Sequence, residues 1–225
     1  MNDLIFFLSA GSALVYVLAT CCSPFVAVVS ALRAYTARRV FYKKVAAQLA
    51  CMAFVMGTVA LGIMWIAGGI PLPDSLPAFF IAQQPPLFWP VLIESAVVGC
   101  AASGAFGALW MALLRNRQDY GRDYYAFALP YCARWALWGT GCAMPVALLM
   151  YFQAKSLMPP ELAHNPPQLL LALACVCPVP ACLLWMRIIA SQTPMRHKIS
   201  IVLALLLLMA AVSGQLSVMT SIFPR

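Results

Sequence analysis

The sequence predicts an all-α integral membrane fold of six transmembrane helices, arranged as three helix–basic loop–helix hairpins with both termini external. Three observations lead there. The chain of 225 residues is 64% hydrophobic and only 9% charged, with a mean hydropathy of +0.90, whereas a water-soluble domain carries about a quarter charged residues. Its apolar runs recur at about 20 residues or more, the length that crosses a hydrocarbon core of about 30 Å. Its basic residues collect in alternate connections between those runs, the pattern that orients helices in a membrane. A membrane barrel would instead need alternating strands of about ten residues, and the sequence offers none.

The first run, about Leu4–Ser30, opens on "MNDLIFF" with no basic stretch before it and no small-residue cleavage site after it. It is therefore expected to stay as a helix rather than be removed as a signal peptide. The remaining spans are predicted at about Val45–Ile70, Phe88–Leu114, Pro130–Phe152, Gln168–Ala190 and Ile199–Ile222. They form a single transmembrane domain over 1–225, with hairpins at 1–70, 88–152 and 168–225 and proline-rich external loops at 71–87 and 153–167. Proline stiffens such loops and removes amide donors. The first loop also carries Phe79, Phe80 and Ile81, which belong either on the membrane interface or against a partner.

Charge sets the orientation. The first connection holds Arg33, Arg38, Arg39, Lys43 and Lys44. The third holds Arg115, Arg117 and Arg122, with Arg134 a turn inside the next helix, and the fifth holds Arg187, Arg196 and Lys198. Twelve of the 14 basic residues thus share one side, leaving Lys155 and Arg225 with Asp3, Asp74 and Glu161 on the other. Positive-inside reasoning makes the basic side cytoplasmic and both termini periplasmic, in a multi-pass protein of a bacterial inner membrane. The same placement removes nucleic acid as a partner, although the net charge is +8. Trp65 and Trp89 fall at external ends and Trp110, Trp135, Trp138 and Trp185 near cytoplasmic ends, as in an interfacial aromatic belt.

An internal likeness runs through the chain. At an offset of 154 residues, Cys21, Pro24, Arg33 and Lys44 match Cys175, Pro178, Arg187 and Lys198. "LWMALLRNR" at Leu109–Arg117 likewise resembles "LWMRIIASQ" at Leu184–Gln192. Either one hairpin is repeated, or composition alone aligns hairpins with basic loops. "ATCCSPF" and "ACVCPVP" read first as paired helix kinks, because a proline frees a backbone carbonyl that small neighbours let another helix shield.

Glu94 is the one carboxylate inside a predicted span. Ionisable groups at membrane depth are costly and commonly mark proton, ion or substrate paths, so Glu94 is a proton-relay candidate; the alternative is a shallow glutamate reaching the interface. Beside it run Ser95, Gly99, Ser103 and Gly107, flanked by Ala96, Cys100, Gly104 and Ala108. Such a ridge lets helix backbones approach closely, so helix 3 is either central or docked on another subunit. Arg134, with Tyr131, is a candidate for a quinone or lipid headgroup, or an arginine snorkelling to the interface.

Thiol chemistry or soft-metal binding at Cys21, Cys22, Cys175, Cys177 and Cys182 is the alternative class, since clustered thiolates suit soft ions. A thiol in apolar surroundings is otherwise inert. Haem b is not expected within this chain: bis-histidine ligation needs facing helices, and His164 and His197 both lie in loops. No metal site and no self-contained catalytic motif is present, including the P-loop, GxSxG and HExxH patterns.

The stretch "FWPVLIESAVVGCAASGAFGALWMALLRNR" resembles the third-helix region of subunit I of cytochrome bd quinol oxidases, with its Leu-Glu-Ser run. "RRVFYKKVAAQLACMAFVMGTVALGI" is similar in plan to that family's first cytoplasmic loop and second helix, so the likeness covers about the first 120 residues. It implies that Glu94 matches a glutamate with proton and haem-site duties. Helix 1 lacks the family's haem-ligating histidine, and the chain is about half the family's length, so an oxygen-reducing site is not implied. "ATCCSPF" also resembles the vicinal-cysteine first helix of small mercury-uptake proteins. Six-span thiol-electron carriers of the cytochrome-biogenesis type are similar in size, but their redox cysteines lie in the first and fourth helices.

The resulting expectation is a non-catalytic, accessory or anchoring subunit of a respiratory, quinone-linked electron-transport complex. It would contact lipids and other membrane or periplasmic redox subunits. The alternatives are a thiol-redox carrier or soft-metal transporter, and a cofactor-free membrane scaffold.

Overall fold

Backbone amides cannot stay unpaired in hydrocarbon, so long apolar runs close their hydrogen bonds internally as helices. The computed structural model describes residues 2–37, 40–66, 85–115, 120–157 and 168–222, and these are almost entirely helical. The helices are α1 (Asn2–Ala37), α2 (Val40–Ile66), α3 (Pro85–Leu114), α4 (Arg122–Leu157), α5 (Gln168–Val176), α6 (Pro178–Ala190) and α7 (Lys198–Ile222), with a 3₁₀ turn at Pro194–His197 before α7. Six segments are long and apolar enough to cross a membrane, α5 and α6 together making one of them. The all-α membrane architecture expected from the sequence is the one observed.

Several boundaries differ from the sequence expectation. α1 runs past Ser30 to Ala37 and carries Arg33 on its last turns, and α4 begins at Arg122, about two turns before Pro130. The first and third basic connections are therefore largely helix ends. α4 also continues to Leu157 and α3 starts at Pro85, so residues 153–157 and 85–87 are helical rather than loop. Helical bonding has no reason to stop where the apolar run stops. Pro85 and Pro86 suit a helix start, where a missing N–H has no partner to lose. Gly121, with φ of 84°, makes the left-handed turn that admits the chain to α4, a conformation a side chain disfavours. Phe79, Phe80, Ile81, Arg38, Arg39, Arg117 and His164 lie outside the described residues.

The two proline phrases do not behave alike. α1 is helical straight through Pro24. The fifth span is broken at Cys177, where α5 ends and α6 begins. Pro178 and Pro180 both lack an N–H, so the carbonyls of Ala174 and Val176 lose their helical donors. Bonds from the Cys177 amide to the Leu173 carbonyl (3.2 Å) and from the Ala181 amide to the Cys177 carbonyl (3.3 Å) stitch the two halves together.

Each hairpin packs on itself, and α3 lies against α1, α2, α4 and α7. α7 returns to α1 and closes the bundle. The most apolar window of the α3 span is 61% buried, against 28% for those of the first, fourth and fifth spans, so α3 is the central helix. Its inward face of Ala101, Ala105, Ala108 and Met111 joins Leu49, Met52 and Leu129 in the core. At the basic end, Tyr42, Phe127 and Tyr131 stack or meet edge-on at 4.9–6.0 Å; such pairs add about 0.5–1.5 kcal/mol each beyond area burial. Arg33 lies 5.9 Å over the Tyr131 ring and Lys44 5.0 Å over that of Tyr120, placing the basic ends of the first two hairpins together. Trp185 departs from the expected belt. It is fully buried in the core and its indole N–H has no acceptor among the described residues.

Candidate functional site on the third helix

The small-residue ridge of α3 is used within the chain. A Cβ on Gly99 would overlap Cys22 Sγ of α1 and come within 3.2 Å of the Leu18 carbonyl oxygen. On Gly104 it would meet the Ala136 nitrogen of α4 at 2.5 Å, and on Gly107 the Leu49 side chain of α2 at 2.8 Å. Ser103 adds polar contacts across the α1 crossing. Its hydroxyl reaches the Ala19 carbonyl (3.1 Å) besides its own Gly99 carbonyl (2.8 Å), and the Ser23 hydroxyl lies 3.3 Å away. Ser95, one turn outward of Gly99, is half-buried. Small residues thus bring α1 and α4 onto α3 at backbone distance, and admit the Leu49 side chain of α2.

This packing carries Glu94 into the bundle. Glu94 shares a helix face with Val98, Ala101 and Ala105, all buried, and is itself only 7% exposed. It makes no hydrogen bond and no ion pair among the described residues. Val98, one turn further in, lines a small, partly open cavity with Thr140 of α4, Pro178 at the helix break and Gln215 of α7. The Thr140 hydroxyl donates to the Ala136 carbonyl at 2.7 Å. A carboxyl so deep in a packed bundle is costly to charge, because the charged form is poorly solvated there. Here it stands one turn from polar groups that could hold a water molecule.

Arg134 and Tyr131 sit in different surroundings. Tyr131 is buried, its hydroxyl 2.9 Å from the Ser30 hydroxyl, while Arg134 is exposed on the outside of α4. Tyr131 therefore serves the α1–α4 contact, and Arg134 has the placement of a snorkelling side chain.

The cysteines do not gather into one cluster. α1 packs on α2, α3 and α7, whereas α5 and α6 pack on α4 and α7. Cys21 and Cys175 are exposed, Cys177 is buried and Cys182 half-buried, and all are free thiols. Among the described residues no group of three or more His, Cys, Asp or Glu could hold a metal ion. Cys22 is instead set against α3 at Gly99, its Sγ in the room a side chain there would take. A polar contact that the sequence conceals is the buried bond from the Tyr124 hydroxyl to Gln48 Oε1, at 2.6 Å. Its signal is Gln48 itself, an amide inside the apolar run "VAAQLACMAF".

Comparison with known protein families, curated proteins and solved structures finds no match.

Proposed function

We propose that this chain is an accessory, anchoring subunit of a quinone-linked respiratory complex in a bacterial inner membrane, with periplasmic termini and a proton path at Glu94. The observation that carries the reading is Glu94 itself, buried to 7% exposure at membrane depth, without an ion-pair or hydrogen-bond partner among the described residues. No ion pair among the described residues accounts for its burial, which supports a use for the carboxyl. Burial disfavours the charged form and leaves a carboxyl that can take up and release a proton. The neighbouring cavity at Thr140 and Gln215 offers a place for the water that would pass the proton on. The respiratory setting draws its support from the likeness of the Phe88–Arg117 stretch to cytochrome bd subunit I, and the anchoring role from the exposed apolar surfaces of α1, α2 and α4.

Purification from native membranes in mild detergent tests the setting. Co-purifying cytochrome bands in the optical spectrum, or extractable quinone, is the expected result; a colourless protein that elutes alone contradicts it. The proton path has its own test in the reconstituted complex. Glu94→Gln should slow proton uptake by roughly 100-fold, the scale of a positioned proton-transfer group, while assembly is retained. Unchanged uptake in that variant removes Glu94 from the path.

A further inference from the structure

Between α1 and α2 an open trough of about 690 Å³ runs along the surface of the bundle. Its floor is alanine: Ala27, Ala46 and Ala53 line it and are each more than nine-tenths buried. Val28 and Phe54, 58% and 72% exposed, project beside that floor. The one hydroxyl in the lining, on Thr20, donates to the Tyr16 carbonyl of its own helix at 2.9 Å. The trough therefore offers hydrocarbon and no spare donor.

Its length and its mouth narrow the choice of occupant. On α1 the lining runs from Thr20 to Ala31, about 16 Å at a rise of about 1.5 Å per residue. That is one leaflet of a hydrocarbon core about 30 Å thick, the depth of an acyl chain and half of what a crossing helix needs. The end near Ala31 is the basic one. Lys43 stands one turn above Ala47 on the same face of α2 and is exposed. Tyr35, 86% exposed, stands one turn above Ala31 on α1. Arg33 and Lys44 are drawn over the rings of Tyr131 and Tyr120, which leaves the Lys43 ammonium at the mouth. The sole carboxylate on the two helices, Asp3, lies at the far end of α1, so nothing on either helix repels an anion there.

We propose that the α1–α2 trough is a binding site for one anionic phospholipid of the leaflet at the basic end. An acyl chain lies over the alanine floor, and the phosphate meets Lys43. Basic positions beside clefts between membrane helices hold lipid headgroups in this way. The site is separate from Glu94 and does not depend on the proton path.

The test uses the full chain reconstituted in vesicles of equal parts phosphatidylglycerol and phosphatidylcholine. After extraction in mild detergent, native mass spectrometry counts the lipids that stay bound. The wild-type chain should retain one phosphatidylglycerol. Lys43→Gln, on an exposed position, should lower the ratio of phosphatidylglycerol to phosphatidylcholine about 5-fold, the worth of one lysine near a membrane surface. Ala50→Leu, on the exposed face of α2 within the trough, should remove bound lipid of both kinds. An unchanged ratio in Lys43→Gln, or lipid retained by Ala50→Leu as in wild type, overturns the proposal. An equal fall in ratio for Arg134→Gln also overturns it, because basic charge at large then holds the headgroups. So does a dimer mass that Ala50→Leu abolishes, which gives the trough to a second copy of the chain.

Discussion

Two polar groups buried in the same bundle have opposite circumstances. Tyr124 donates a hydrogen bond to Gln48 at 2.6 Å, while Glu94 has no such partner among the described residues. A satisfied buried bond contributes about 0.5–1.5 kcal/mol of stability. Tyr124→Phe should therefore lower the unfolding free energy in detergent by that amount. Glu94→Leu should act in the other direction. Replacing a desolvated carboxyl by an apolar side chain is expected to raise stability by about 1–3 kcal/mol, while the variant loses proton uptake. Thermal unfolding followed by circular dichroism reads both. A Glu94→Leu protein less stable than wild type would mean that the carboxyl has a structural partner after all.

Close approach between helices is the next level, and α4 contains its own control. A Cβ on Gly139 would lie 2.5 Å from the Ala101 nitrogen of α3, whereas one on Gly141, two residues on, would meet nothing within 4 Å. Gly139→Ala must force the α3 and α4 backbones apart, and overpacking of this kind costs about 1–3 kcal/mol. Gly141→Ala places a better helix former in open space and should stabilise by about 0.5–1 kcal/mol. Equal effects of the two substitutions would contradict the helix contact described above. The prolines differ for a related reason. Pro24 takes one hydrogen bond from α1 and the helix continues, while Pro178 and Pro180 take two within a single turn and the helix divides at Cys177.

The bundle as a whole has one end rich in arginine and lysine, where Arg33 and Lys44 lie over tyrosine rings of the second hairpin. If that end is cytoplasmic, a membrane-impermeant maleimide applied to intact cells should label Lys155→Cys and spare Arg38→Cys until the membrane is opened. The reverse pattern inverts the orientation. The six spans were legible in the sequence because a long apolar run has few alternatives to a membrane helix. The helix ends were not, since internal hydrogen bonding carries α1 on to Ala37 and starts α4 at Arg122, beyond the apolar stretches that announce them.

The sequence by itself determined the class of object, the number of crossings, the single carboxylate at membrane depth and the smallness of the α3 surface. Each of these depends on composition or spacing along one helix. Only the tertiary structure decided that the ridge turns inward on α1, α2 and α4, that Tyr131 and Arg134 part company, and that Cys22 packs at Gly99 of α3 instead of on the fifth span. Those outcomes depend on how helices rotate about their axes and cross. Side chains many residues apart set such angles jointly, and no local spacing records them.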